Sequence, residues 1–87
     1  MKQPMEILKY PHLTEKSVGM VEDENKLVFV VDEDVDKDQI KWAVEEEFDV
    51  TVVKINSLID SKGRKRAFVK LSEGDNAIDI ATRLGML

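Results

Sequence analysis

Asn25-Lys26-Leu27-Val28-Phe29-Val30-Val31 and, after a short acidic turn, Asp36-Lys37-Asp38-Gln39-Ile40-Lys41-Trp42-Ala43-Val44-Glu45-Glu46-Glu47-Phe48 are the two runs that decide the fold. The first is β-branched and aromatic between polar boundaries, the pattern of a strand. In the second, Ile40, Ala43, Val44 and Phe48 share one face at the helical period, while Lys41, Glu45 and Glu46 point largely to water. Asp36 followed three residues later by Gln39 is a capping box, so the helix starts at Lys37.

Beyond the helix, Val50 to Ile59 reads as a second strand and Lys65 to Leu71 as a third. The tight turn Asp60-Ser61-Lys62-Gly63 makes the two a hairpin. A last helix starts at Gly74 to Asn76, runs to Leu84 on buried Ala77, Ile80, Ala81 and Leu84, and is capped by Gly85. Toward the N-terminus, Thr14 is an N-cap with Ser17 in place of a Glu or Gln, and a short helix over Glu15 to Met20 follows. Residues 1–11 read as an arm with little regular structure, in which Pro11 biases Tyr10 toward an extended conformation. The expected class is α+β: a ferredoxin-like split βαβ lacking its last strand (β-α-β-β-α), with a three-stranded sheet and helices on one face. The crossover makes its first two strands parallel, and the hairpin pair is antiparallel. The other face of so small a sheet is left wanting a partner.

A chain of 87 residues supports one core, hence a single domain over 1–87. The absence of cysteine excludes a disulfide framework, a thiolate metal site and a thiol nucleophile, and is compatible with a cytoplasmic location. The longest apolar run, Leu27 to Val31, is far short of the roughly 20 residues a membrane helix needs, and the N-terminus has no signal pattern, so no membrane insertion is expected. His12 is the one side chain that titrates near neutrality, and it has no partner in sequence for acid–base work. Asp32-Glu33-Asp34-Val35-Asp36 resembles a calcium loop only until Lys37 falls where that loop needs glycine. The four glycines are isolated, so no phosphate-cradling loop exists. No catalytic residue, metal or cofactor is expected, and the chain does not read as an enzyme.

The net charge of −5 argues on its face against a nucleic-acid partner, but its distribution does not. Residues 21–50 hold twelve acidic and three basic side chains, whereas residues 54–70 hold six basic ones and only Asp60. Lys62, Arg64, Lys65 and Arg66 surround the hairpin turn, with Lys54 before it and Lys70 after. In a strand Arg64 and Arg66 share a face and Lys65 takes the other. Such a hairpin can present cations to the phosphates of an RNA groove; the alternative is a hairpin whose charges serve solubility. Arg66-Ala67-Phe68-Val69 is faintly similar to the aromatic strand of an RNA-recognition domain, but contact with a folded RNA surface fits better than reading of single-stranded bases. Trp42 is placed by its spacing either at the core margin or on a protein-contacting surface.

Several pieces in order carry a resemblance to a known family. They are Lys9-Tyr10-Pro11-His12-Leu13-Thr14-Glu15-Lys16, Asn25-Lys26-Leu27, Ala43 through Val50, Val53-Lys54-Ile55-Asn56-Ser57-Leu58, Lys65 through Leu71, and Ala77 through Gly85. From Ile7 to Leu87 the chain closely resembles the archaeal and eukaryotic form of large-subunit ribosomal protein twenty-three. The resemblance implies a structural, cytoplasmic ribosomal protein that binds large-subunit rRNA near the polypeptide exit tunnel, beside neighbouring ribosomal proteins. It implies rRNA contacts from Lys9, Pro11, His12, Thr14 and Lys16, and from the hairpin residues Lys54, Asn56, Lys62, Arg64, Lys65 and Arg66. It also implies docking of the signal recognition particle, with Glu15 and Asp49 at the acidic positions that serve it. The bacterial form has a long hairpin extension where this chain has a short turn after Asp60, so deep contact with the tunnel is not expected. The competing reading is a ferredoxin-like protein-interaction or ligand-sensing domain whose bare sheet face pairs with a second copy.

Overall fold

The computed structural model describes residues 3–85; Met1, Lys2, Met86 and Leu87, within the expected 1–87 domain, lie outside the described residues. In chain order the elements are α1 (Pro4–Ile7), β1 (Leu8–Pro11), α2 (Glu15–Glu24), β2 (Lys26–Val31), α3 (Lys37–Phe48), β3 (Val52–Ile59), β4 (Lys65–Leu71) and α4 (Ala77–Arg83). The sheet has four strands in the order β1-β2-β4-β3, and every hydrogen-bonded pair is antiparallel.

One expectation is corrected. The sheet has four strands rather than three, because residues 4–11 are not an irregular arm. Pro4 starts α1 where its missing N–H costs nothing. β1 then pairs with the edge of β2, with Leu8 opposite Val31 and Tyr10 opposite Val30. Ile7 and Leu8 are buried. Four residues broken by a bulge are too few to show a period, and their pairing partner lies some twenty residues away, so local pattern could not reveal them. β2 and β3 run parallel as expected of a split βαβ, with β4 between them and antiparallel to both.

The core sits between one sheet face and the helices. Leu27, Phe29 and Val31 of β2, Val52 of β3, and Ala67, Val69 and Leu71 of β4 meet Ile40, Ala43 and Val44 of α3 and Ala77, Ile80 and Ala81 of α4. Phe48, at the end of α3, stacks on Phe29 with ring centroids 5.9 Å apart, and Trp42 packs at the core margin. Burying each large aliphatic side chain contributes roughly 1.5–3 kcal/mol. α3 begins with the predicted capping box, Asp36 accepting from the Gln39 N–H at 2.8 Å.

α2 runs on to Glu24, past the predicted end, and lies beside β2, its Ser17 and Val21 buried. Asn25 ends it in the left-handed region, φ 55°. The Asn25 amide then donates to the carbonyls of Ser72 and Asp75 at 3.1 and 2.9 Å and accepts from the Ala77 N–H at 2.8 Å. One side chain thus ties the β4–α4 connection to the start of β2.

Candidate nucleic-acid interface

The four strands contain Lys9, Lys26, Lys54, Lys65, Arg66 and Lys70 and not one carboxylate; every Asp and Glu lies in a helix or a connection. Alternation along each strand sends half of its residues to the face the helices cover and half to the other. On the uncovered face, Lys26, Lys70 and Lys54 stand in one row across β2, β4 and β3. The next row is Val28, Phe68 and Asn56, and the third is Val30, Arg66 and Leu58, with Tyr10 of β1 beside Val30; Val28 and Val30 are buried, so this face is open on its β4 and β3 side rather than over β2. Like charges directly opposite one another across strands repel. The Lys26 ammonium is relieved by Glu24 at 3.3 Å, whereas Lys54 and Lys70 have no ion pair among the described residues.

The hairpin tip is not the open cation cluster its sequence promises. Asp60 accepts from the backbone N–H groups of Lys62 and Arg64 at 2.8 and 3.0 Å, and one of its oxygens takes the Nε–H of both Arg64 and Arg66, each at 3.0 Å. Burial of this carboxylate works to raise its pKa. The two backbone N–H groups and the Arg64 guanidinium outweigh that and hold it at about 2. Arg64 is itself pushed above the usual guanidinium value, first by the Tyr10 hydroxyl and then by Asp60. Arg64 and Arg66 therefore share a face as expected but with one carboxylate between them, a local charge of +1 rather than +2. Lys65 points to the helix side, where its ammonium donates to the Val35 carbonyl at 2.6 Å. Of the four hairpin cations only Lys62, on the turn, is engaged neither by a carboxylate nor by a backbone carbonyl among the described residues.

The N-terminal candidates divide in a similar way. Thr14 caps α2: its hydroxyl oxygen accepts from the Ser17 N–H at 3.1 Å, while the Ser17 hydroxyl oxygen accepts from the Thr14 N–H at 2.8 Å and its proton goes to the His12 carbonyl at 2.7 Å. Thr14 is thereby occupied with structure. His12 and Lys16 border a hollow of about 130 Å³ on the uncovered face, next to Arg66 and Phe68. Burial lowers the pKa of the His12 imidazole, and Arg66 and Arg64 lower it further against the opposing pull of Asp60. Lys9 is exposed at the β1 bulge. The structure thus joins His12, Lys16, Arg64, Arg66, Lys54 and Asn56 on one face and leaves Lys65 out.

The contacts implied by the family resemblance omit Lys26 and Lys70, although Lys70 belongs to the basic segment that flanks the hairpin turn. Lys70 was accessible by period-2 counting from Arg66, but Lys26 joins the row only through the β2–β4 register. The end of the face near Lys70 adjoins a hollow of about 320 Å³ bordered by Glu22, Asp23, Glu24 and Glu73. Anions are therefore favoured toward the Lys16 and Arg66 end. Glu15 lies in the first turn of α2, and Asp49 ends α3 in the left-handed region, φ 54°, so the two acidic candidates occupy separate elements. Among the described residues no group of His, Asp or Glu could hold a metal, and no helix is long and apolar enough to cross a membrane.

A family model described as ribosomal protein L23 matches residues 6–67, which span β1 to the first half of β4. The large ribosomal subunit protein uL23 of Haloarcula marismortui is 42% identical over 81 residues, covering 93% of this chain and 95% of that protein. The chain belongs to the ribosomal protein L23 family. As an L23-family member it is a structural protein of the large ribosomal subunit, not an enzyme. The L23 match takes in Lys9 at the β1 bulge and His12, Lys16, Lys54, Asn56, Arg64 and Arg66 on the uncovered side of the sheet.

Proposed function

We propose that this chain binds large-subunit rRNA near the polypeptide exit tunnel with the uncovered face of its sheet, acting as one rRNA-binding domain of the cytoplasmic ribosome. The observation that carries the proposal is the segregation of charge, with strands free of carboxylates and every Asp and Glu in a helix or a connection. An approaching RNA meets the cationic face first, and the net charge of the whole chain is a poor guide to what it meets. In this reading Lys16, Lys54, Lys62, Arg64 and Arg66 take phosphates, Lys9, His12 and Asn56 lie at the same surface, and Thr14 caps the helix that carries Lys16. Lys65 serves the fold. The architecture is a ferredoxin-like split βαβ whose fourth strand is supplied by the N-terminal β1 at the edge of β2. Self-pairing through the bare face is disfavoured because it would bring the same lysines and arginines against their copies.

The Lys54→Ala/Arg66→Ala variant should bind a large-subunit RNA fragment more weakly, with a salt dependence flatter by roughly 1 to 2 in log affinity against log salt. A variant that matches the parent at every salt concentration would remove the sheet face from consideration. Contact with neighbouring ribosomal proteins and docking of the signal recognition particle complete the proposal, Glu15 and Asp49 offering carboxylates to a basic factor. Asp49→Asn suits this test better than a lysine, because asparagine tolerates the left-handed backbone. Together with Glu15→Gln it should weaken particle association and leave RNA affinity intact; unchanged association rejects the docking assignment.

A further inference from the structure

The hollow at the start of α2 combines two surfaces that one simple ligand does not satisfy. Its floor is apolar: Phe68, its cross-strand neighbour Val28, and Leu58 of the edge strand. Leu58 is 45% exposed, so the apolar patch opens to solvent in the isolated chain. Its remaining lining is cationic and polar, with Lys16, Arg66 and His12 among the residues that border it. Lys16 has no ion pair among the described residues, and the His12 ring has no hydrogen-bond partner there. Arg66 commits its Nε–H to Asp60, which leaves its terminal amino groups for another acceptor. The Thr14 and Ser17 hydroxyls are already engaged in the helix cap.

A bare phosphate would use the cationic lining and leave Phe68 and Leu58 wet. An aliphatic side chain of a protein partner would use the floor and leave Lys16, Arg66 and His12 unmatched. A flat ring with polar edges, tethered to a phosphate, uses both. We infer that the hollow receives one unpaired nucleotide of the bound RNA, its base against Phe68 and Leu58 and its phosphate between Lys16 and Arg66. The volume of about 130 Å³ suits a single base. This rests on the rRNA-binding reading and adds to it a specific subsite that phosphate contacts alone do not require. Stacking on an aromatic ring tolerates any base, so the site selects an extruded nucleotide rather than a sequence.

Two measurements on the full chain test it. Titration with adenosine 5′-monophosphate, followed by NMR, should shift the Phe68 ring and Val28 methyl signals, whereas ribose 5-phosphate should leave them in place. Equal shifts from ribose 5-phosphate overturn the inference, as does tighter binding by a short Asp-Phe-Asp peptide, which would assign the hollow to a protein partner. In the second, Leu58→Trp fills the hollow from an exposed position. It should lower affinity for an RNA hairpin with one bulged nucleotide about tenfold at fixed salt, and leave the fully paired hairpin unaffected. Bulged and paired hairpins bound equally by the parent sink the subsite alone. A parent chain that binds neither at low salt removes the rRNA reading and the subsite with it. The nucleotide titration needs no variant and stands if Leu58→Trp fails to fold.

Discussion

Replacing Asp60 with asparagine should strengthen the dependence of RNA binding on salt, although it removes a residue that no phosphate could touch. The Asp60 carboxylate is almost fully covered, 5% exposed, and holds the Nε–H groups of two guanidiniums. Asparagine keeps one carbonyl oxygen for the Lys62 and Arg64 backbone N–H groups, so the turn survives. Where the second oxygen stood it places an NH2, a donor facing donors, and Arg64 and Arg66 are released. In the parent, Lys16, Lys54, Lys62 and the shared arginine pair neutralise roughly four phosphates, a slope of about −3.6 in log affinity against log salt. In Asp60→Asn the pair counts twice and the slope becomes about −4.5. Between about 50 and 200 mM salt the variant therefore loses roughly 3.5-fold more affinity than the parent. Fluorescence anisotropy with a labelled large-subunit RNA fragment at four salt concentrations measures both slopes. An unchanged or flatter slope would mean that the two guanidiniums do not face phosphate in the complex.

The same substitution lowers stability at neutral pH, and the pH at which that deficit disappears follows from the pKa. With the folded value at about 2, below the ordinary 3.8, the charged carboxylate contributes its stabilisation fully above 3.8, and the contribution is lost as pH falls toward 2. Parent and variant should differ at pH 6 and converge in acid. Asn25→Ala should cost roughly 3–4 kcal/mol in a urea titration followed by Trp42 fluorescence, from lost hydrogen bonds and a left-handed alanine. Asn25→Gly should be milder by about 1 kcal/mol, because glycine accepts that backbone freely; equal losses would show that φ contributes nothing. Leu8→Ala should cost roughly 2–4 kcal/mol, the loss expected of a fully buried position, and a cost near zero would return residues 4–11 to the status of a loose arm. His12 should titrate by NMR below the usual histidine value in the free chain, and higher once phosphates offset Arg66 and Arg64.

Much of the fold was legible because it is locally encoded. The α3 face and its capping box, the valine-rich β2, the β3–β4 hairpin and α4 each carry their own period or cap within a dozen residues. β1 was not legible, since four residues with prolines nearby have no period of their own and become a strand only against β2. The candidate site was legible in kind and misplaced in detail. The basic segment was visible as a run of charge, but a run of charge does not show what each ion meets. Asp60, one carboxylate inside that run, takes two of its cations, and Lys65 turns to the helix side.

By itself, the amino-acid order determined which elements form, that the chain holds one small core, and that its acids and bases are segregated along its length. Only the tertiary structure decided which cations are neutralised, that Lys26 and Lys70 align with Lys54, and that Phe68, Leu58, Lys16 and His12 border one hollow. The reason is range. Periodicity and capping act over a few residues and are written in neighbouring letters, whereas strand register and ion pairing bring together residues tens of positions apart, and their geometry exists only once the chain has closed on itself.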